Sequence, residues 1–352
     1  MADAGIAEQT PEGSRPLLVG MDAISLVGSE RPRLDGVTCD IHAGVTAIIG
    51  LSGAGKTSLL NLLSGFESPS GGRLHWNRQM LDGDLPMYWV PQGGGLWPQL
   101  SLDAHLAVVG ANATSTAVSS GSSRFSEISD ELLHDLHLTH RRRAVPAELS
   151  EGERSRLAVA RALISGARVL IMDEPLAHVD QTRKHQFWNV IRDWLNRRSA
   201  HLIFASHDPD VIVREAGDVL CLEQGRVVYS GSVNRLYHAA TKGMPAELLG
   251  RVNWLDQQDL VCWRIRHAAV CEADLKVTTK RAFRPERLVV VPQPESPLEI
   301  VFSNSFGSDT ESRVIDVETG AVQLFVHQTP QLPTGSAGRQ YAPGTRVELR
   351  LV

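Results

Sequence analysis

Eight consecutive residues, Gly50-Leu51-Ser52-Gly53-Ala54-Gly55-Lys56-Thr57, place glycines, a lysine and a hydroxyl in the order G-x-x-x-x-G-K-[ST]. The glycines let the backbone curl so that successive N–H groups point at the β- and γ-phosphates of a bound anion. Lys56 adds a mobile positive charge, and the Thr57 hydroxyl is suited to ligate Mg²⁺. An apolar run, Val45 to Ile49, leads in, and a helical sequence, Ser58 to Leu63, follows. That strand, loop and helix context is the one the pattern requires. The chemistry it implies is the binding of a nucleoside triphosphate.

A second group ends another apolar run, Val169-Leu170-Ile171-Met172-Asp173-Glu174. Asp173 is placed to hold Mg²⁺ directly or through water, and Glu174 to orient and polarise an attacking water. Carboxylates at the C-terminal end of a strand in a parallel sheet come to lie beside a phosphate loop in the same position. Upstream, Leu149-Ser150-Glu151-Gly152-Glu153 precedes the helical stretch Arg154 to Leu163. On its own this is an N-cap, whose free amides and helix dipole also favour an anion.

The elements that must carry these groups follow from periodicity. From about Leu17 to Tyr229 short apolar runs alternate with helical spacing, the rhythm of an α/β domain with a largely parallel sheet. Val45 to Ile49, Val169 to Met172 and Leu202 to Ala205 are expected as core strands. Asp218 to Leu222 and Arg226 to Tyr229 are expected as a hairpin turning at Gln224-Gly225. Between Gly93 and Ser150 the pattern becomes mainly helical, with Ile128, Leu132, Leu133 and Leu136 at helical spacing, interrupted by a Ser/Gly-rich run, Thr114 to Ser123, read as a surface loop. After about Leu236, short alternating strands take over. Val347, Leu349 and Leu351 against Arg346, Glu348 and Arg350 predict a strand with one wet face, and Val261, Trp263 and Ile265 predict another. A small β-barrel or sandwich is the natural second domain.

At 352 residues two domains are expected. A net charge of -5 supplies no basic footprint for nucleic acid. The first fifteen residues are acidic and polar and read as disordered, without a signal-like core, and no apolar run is long enough to cross a bilayer, so the chain is expected in the cytoplasm. Cys39, Cys221, Cys262 and Cys271 show no CxxC pairing and read as buried reduced thiols. His134, His137 and His140 read as a solvated helix face, and Arg141 to Arg143 as a solvated run.

Taken in order, Gly50 to Thr57, Gln92 in Val90-Pro91-Gln92, Leu149 to Glu153, Asp173-Glu174-Pro175, Asp180 and Ala205-Ser206-His207-Asp208 resemble the motif series of ATP-binding cassette (ABC) ATPases across about Leu17 to Leu236. The resemblance implies a P-loop nucleotide hydrolase fold at 16–236 with a helical subdomain at about 93–165. It implies ATP and Mg²⁺ as cofactors, with Gly50, Ser52, Gly53, Ala54, Gly55, Lys56, Thr57 and Ser58 around the nucleotide. Thr57, Gln92 and Asp173 would serve the metal, and Thr57 and Gln92 would also sense the γ-phosphate, placing Gln92 among the catalytic residues. Glu174 would be the catalytic base, and His207 would bridge the γ-phosphate and the water. Ser150 and the Gly152 amide would reach ATP on a second copy, with Asp180 at the interface of a head-to-tail homodimer.

The chain departs from the family pattern at Glu151, where a Gly is usual, and at Ala177, where a Ser is usual and His178 follows. No aromatic residue lies in Ser25 to Arg33 to stack on adenine. The tail at 237–352, through Leu236-Tyr237-His238, Leu248 to Trp254 and Arg284 to Leu288, resembles the OB-like regulatory domain of importer ATPases for maltose, polyamine, ferric iron, sulfate and molybdate. The implied protein energises solute import through separate integral-membrane permease subunits, on the inner face of the membrane, with a solute-binding protein engaged indirectly and no nucleic acid. A soluble ABC ATPase of translation or DNA repair and a weakly hydrolysing ATP-binding module are the alternatives. The tail is either regulatory or a stabilising appendage, and Trp97 is either core or part of a permease-facing surface.

Overall fold

In the computed structural model residues 15–81, 85–113, 121–240, 243–267, 280–329 and 341–352 are described, and the chain divides between Gly231 and Ser232 into two units. The expected disordered N-terminus, most of the Ser/Gly-rich run and Cys271 lie outside the described residues.

The first unit runs β1 (Leu17–Leu26), β2 (Leu34–His42), β3 (Val45–Ile49), α1 (Lys56–Leu63), β4 (Gly71–Trp76) and β5 (Met87–Val90). It continues through α2 (Leu102–Ala113), α3 (Gly121–Asp135), α4 (Glu151–Ile164), β6 (Val169–Asp173), α5 (Gln181–Arg198), β7 (His201–Ala205), α6 (Pro209–Glu215), β8 (Asp218–Glu223) and β9 (Arg226–Ser232). Six strands form one sheet in the order β5-β6-β7-β3-β8-β9, with parallel pairing from β5 through β8. All five residues of β6 are buried, as a strand covered on both faces demands. β8 and β9 turn at Gln224 (φ 49°) and Gly225 (φ 81°), the pair of left-handed residues that a two-residue hairpin matching the strand twist needs.

Beside this sheet stands an antiparallel one, β2-β1-β4, which the largely parallel reading of the sequence did not anticipate. β1 carries register shifts between Met21 and Ile24 and between Ile24 and Leu26, so its apolar residues do not alternate cleanly. Its core-facing Leu18, Val19, Met21 and Ile24 nevertheless join Ile48, Leu59, Leu63 and Ile171 in one buried cluster.

The helical region holds α2, α3 and the first half of α4, with Leu132, Leu133 and Leu136 fully buried. The three histidines do not share a helix face. α3 stops at Asp135, His137 takes a left-handed φ of 54° and packs edge-on against Phe187, and His140 sits in a following 3-10 turn. Arg141 bonds Glu153 at 2.9 Å and Arg142 pairs with Asp130 and Asp103, so two of the three arginines act as local ties.

The second unit comprises α7 (Val233–Ala239), α8 (Gly243–Glu247), β10 (Asn253–Leu255), α9 (Gln257–Cys262), β11 (Arg266–His267) and β12 (Arg281–Phe283). β13 (Leu288–Pro292), β14 (Leu298–Phe306), β15 (Asp309–Asp316), β16 (Val322–Gln328) and β17 (Val347–Leu351) complete it. Its sheets are β10-β12, β11-β17-β13 and β14-β15-β16, closed over a core that includes Trp263, Leu288, Ile300, Phe325 and Leu349.

Two tail expectations need correction. The stretch Val261-Trp263-Ile265 is not a strand. Asp256 and Asp259 form a reciprocal capping box that starts α9, so Trp263 and Ile265 reach the core from its C-terminal turn while Val261 stays exposed. Replacing Asp256 with Ala should cost about 1 kcal/mol, the usual worth of such a cap, measured by chemical denaturation. In β17 the predicted wet face is only partly wet, because Glu348 is buried between Arg266 at 3.1 Å and Arg350 at 2.9 Å. The cysteines also differ from expectation. Burial pushes the thiols of Cys39 and Cys221 up to about 12, but Cys262 is exposed at the end of α9.

Candidate functional site

Parallel pairing sets the C-terminal ends of β3, β6 and β7 in one row, with Ile48 opposite Ala205 and Asp173 opposite Ala205 on the other side. The residues immediately after these strands therefore meet, although they are separated by more than a hundred positions in sequence. The loop after β3 wraps into α1 through two glycines that nothing else could replace. A Cβ on Gly50 would lie 2.4 Å from the Leu222 carbonyl, and one on Gly55 would lie 2.7 Å from the Arg33 carbonyl, both at positive φ.

Lys56 opens α1 and its Nζ donates to the Gly50 and Leu51 carbonyls at 2.9 and 3.2 Å, so the ammonium sits over the loop it belongs to. Thr57 Oγ1 donates to Asp173 Oδ2 at 2.6 Å. Asp173 is almost fully buried, and burial raises its carboxyl above the usual range, with the Thr57 hydroxyl and Lys56 working the other way and Glu174 adding to the rise. A hydroxyl and a desolvated carboxylate side by side are hard oxygen donors, the type that would hold Mg²⁺.

Glu174 follows at a left-handed φ of 53°, anchored by its N–H to the Ala205 carbonyl. That turn swings its side chain across to His207, whose Nδ1 lies 2.8 Å from Oε1. A carboxylate only accepts, so Nδ1 carries the proton and the exposed Nε2 edge is left for another partner. Asp208 holds the histidine's turn in place. Its carboxylate caps α6 and accepts from Lys184 at 2.8 Å and Gln181 at 3.2 Å. Burial pushes that carboxyl up, but Lys184 and Gln181 outweigh it and keep it below the ordinary range. Lys184 carries no motif signature and was not found from sequence.

Ser150 and Glu153 form a capping box at the start of α4, the hydroxyl accepting from the Glu153 amide at 3.2 Å. Ser150 is thus bonded to its own helix and not to the phosphate loop. Gly152 packs so closely on the loop after Glu174 that a Cβ would lie 2.9 Å from the His178 carbonyl. Glu151, which departs from the family pattern, lies 3.2 Å from Nδ1 of His178, the residue after the other departing position, Ala177. Asp180 caps α5, accepting from the Arg183 amide at 2.9 Å and the Thr182 hydroxyl at 2.5 Å. None of these contacts joins Ser150, Gly152 or Asp180 to Lys56, Thr57, Asp173, Glu174 or His207.

Gln92 is exposed in the turn that follows β5, whose Val90 pairs with Met172 one residue before Asp173. The turn is held from behind by Arg161 of α4, a buried arginine that the sequence did not single out. Its guanidinium donates to the Gly94 and Gly95 carbonyls and stacks on Trp97 at 4.2 Å. Trp97 is 40% exposed, its ring resting on Arg161 and His105. Burial lowers the Arg161 proton affinity, while Tyr88 supports the charge.

A phosphate loop between a parallel strand and a helix, with a carboxylate pair at the end of the next strand but one in the same sheet, defines a P-loop nucleotide-binding protein of the α/β class. Residues 34–177 match the ABC transporter family. The chain is 30% identical over 274 residues to the Fe(3+) ions import ATP-binding protein FbpC of Pseudomonas fluorescens, covering 74% of this chain and 75% of that protein. It belongs to the ABC transporter family of ATP-binding proteins. It is also 38% identical over 193 residues to the molybdenum import ATP-binding protein ModC of Methylococcus capsulatus, a match that spans about half of each, 53% of both. Among solved structures, a dimeric ATP-binding cassette in a post-hydrolysis state with ADP and Pi aligns with a TM-score of 0.53 over 61% of this chain and 99% of that one. At 20% identity that likeness concerns the fold. Among the described residues no helix is long and apolar enough to cross a membrane.

Proposed function

We propose that this chain hydrolyses ATP to energise solute import through separate integral-membrane permease subunits, working as a homodimer on the inner face of the cell membrane. The observation that carries the reading is the Glu174–His207 contact at 2.8 Å, set in the same row as the Thr57–Asp173 bond. Similarity to the FbpC and ModC import proteins supports the transport role.

The residues divide the work. Amides of Gly50 to Gly55 and the Lys56 ammonium hold the triphosphate, with Ser58 extending the contact along α1. Mg²⁺, which Thr57 and Asp173 would hold with Gln92 nearby, supplies charge neutralisation on the phosphates when bound. Glu174 takes the proton of the attacking water as the bond to the γ-phosphorus forms and ADP departs. His207 fixes the Glu174 carboxylate through Nδ1–H, and when protonated at Nε2 as well it donates to a γ-phosphate oxygen. Ser150, Gly152 and Asp180 face the nucleotide held by another copy, so that closure of two chains completes each site. The solute-binding protein acts through the permease and not on this chain.

Phosphate release by the purified chain, alone and with the membrane proteins that co-purify with it, tests the reading. ATP turnover together with an integral-membrane partner supports it. Turnover with ribosomes or DNA as the only partners would assign the chain to another ABC class, and no turnover in any assembly would remove the catalytic role.

A further inference from the structure

The loop between β1 and β2, residues 27–33, lies against the phosphate loop and holds one arginine that pairs with no side chain among the described residues. Its frame is rigid on both sides of that residue. A Cβ on Gly28 would lie 2.2 Å from the Arg31 carbonyl, so the chain turns there only because position 28 is glycine. Pro32 fixes the next backbone angle. The Arg33 amide then donates to the Leu26 carbonyl at 2.8 Å, and the Arg33 carbonyl abuts both Gly55 and Gly225, at 2.7 and 2.8 Å from their Cβ positions.

The two arginines of this loop have opposite fates. Arg33 is spent on structure: its guanidinium is bound by both Glu67 oxygens, at 3.1 and 2.5 Å, and by the Val27 carbonyl. Arg31 is exposed and forms no side-chain hydrogen bond or ion pair among the described residues. Its terminal nitrogen nevertheless lies 3.9 Å from the Cβ position of Gly53, in the middle of the phosphate loop. An unneutralised guanidinium held beside a row of anion-directed amides has a planar fork that matches a phosphate.

We propose that Arg31 is a nucleotide-binding residue, pairing with the phosphate chain of a nucleoside triphosphate beside Gly53. The proposal rests on the phosphate loop binding a triphosphate and adds a contact that no part of the motif series supplies. It also gives the β1–β2 loop, which lacks any aromatic residue, a charge-based means of holding the nucleotide.

Isothermal titration of the full chain with ATP, GTP and UTP tests it, using wild type, Arg31→Gln, Arg31→Lys, Arg73→Gln as an exposed-arginine control on β4, and Lys56→Ala. Arg31→Gln should raise Kd about 10-fold for all three nucleotides, the scale of one charge-assisted hydrogen bond. Arg31→Lys should recover part of that loss, Arg73→Gln should bind like wild type, and affinity in Arg31→Gln should fall less steeply with added salt. Wild-type affinity in Arg31→Gln, or a loss confined to the purine nucleotides, overturns the phosphate assignment while Lys56→Ala still abolishes binding. If the wild type binds no nucleotide, the phosphate-loop reading fails first and Arg31 with it.

Discussion

Glu174→Gln should lower steady ATP turnover by about 10²- to 10⁴-fold, the range in which a positioned general base contributes. The substitution isolates proton acceptance because it changes little else. Glutamine keeps an oxygen able to accept from His207 Nδ1 across the 2.8 Å contact, and the left-handed turn at residue 174 is unaltered by a side chain of the same shape. Thr57 and Asp173 are bonded to each other and not to Glu174, so the pair proposed to hold Mg²⁺ stays intact. Nucleotide affinity should therefore persist and the ATP-bound dimer accumulate. Phosphate release and size-exclusion chromatography in ATP check both halves. Turnover within 10-fold of wild type would remove Glu174 from the role of base.

Arg284→Met should destabilise the second unit by about 3–5 kcal/mol, the cost of removing one side of a buried charged network. Arg284 is only 1% exposed and, among the described residues, has no acidic partner at hydrogen-bond distance; it is satisfied by four backbone carbonyls. Nε donates to Tyr237 at 2.9 Å, one terminal nitrogen to Gly250 and Arg251, and the other to Ala246 at 3.0 Å, with the Tyr237 ring stacked on the guanidinium at 4.2 Å. These carbonyls come from α7, α8 and the turn before β10, so a single side chain ties the start of the unit to β12 and β13. Burial lowers its proton affinity, yet the carbonyl dipoles and the aromatic face hold the charge. Methionine fills the volume but orphans all four acceptors. Lysine should not rescue, since one ammonium cannot span three directions. Calorimetric unfolding of the full chain would expose the loss, and a change below about 1 kcal/mol would show that water satisfies those carbonyls instead.

These two residues differ in how visible they were before the fold was known. Glu174 stands at the end of an uninterrupted apolar run beside Asp173, the pattern of a strand buried on both faces, which β6 is. Arg284 looks like any surface arginine in a sequence, and its burial depends on helices that arrive from residues 237–251. The same contrast holds at the site. Gly50, Gly55, Lys56 and Thr57 are dictated locally, because the backbone path of the phosphate loop is set by which residues tolerate positive φ. Lys184 and Arg161 are ordinary helix residues until α5 and α4 dock. One then meets Asp208 and the other the carbonyls of Gly94 and Gly95.

Where sequence periodicity misled, the cause was short range. Val261-Trp263-Ile265 alternates over too few residues to separate a strand from the last turn of a capped helix, and the Asp256–Asp259 box decides for the helix. The antiparallel sheet escaped notice because bulges in β1 break its period of two.

What the sequence by itself determined is the set of groups proposed to bind and cleave a triphosphate and the class of sheet that carries them, since both follow from residue type and local spacing. What only the tertiary structure decided is which groups meet. Parallel register put Glu174 against His207 and Thr57 against Asp173, and the packing of one loop on another brought Arg31 to Gly53 and Glu151 to His178. Those contacts join residues up to more than a hundred positions apart, and no local propensity encodes them; the register of the strands and the docking of loops fix them together when the core closes.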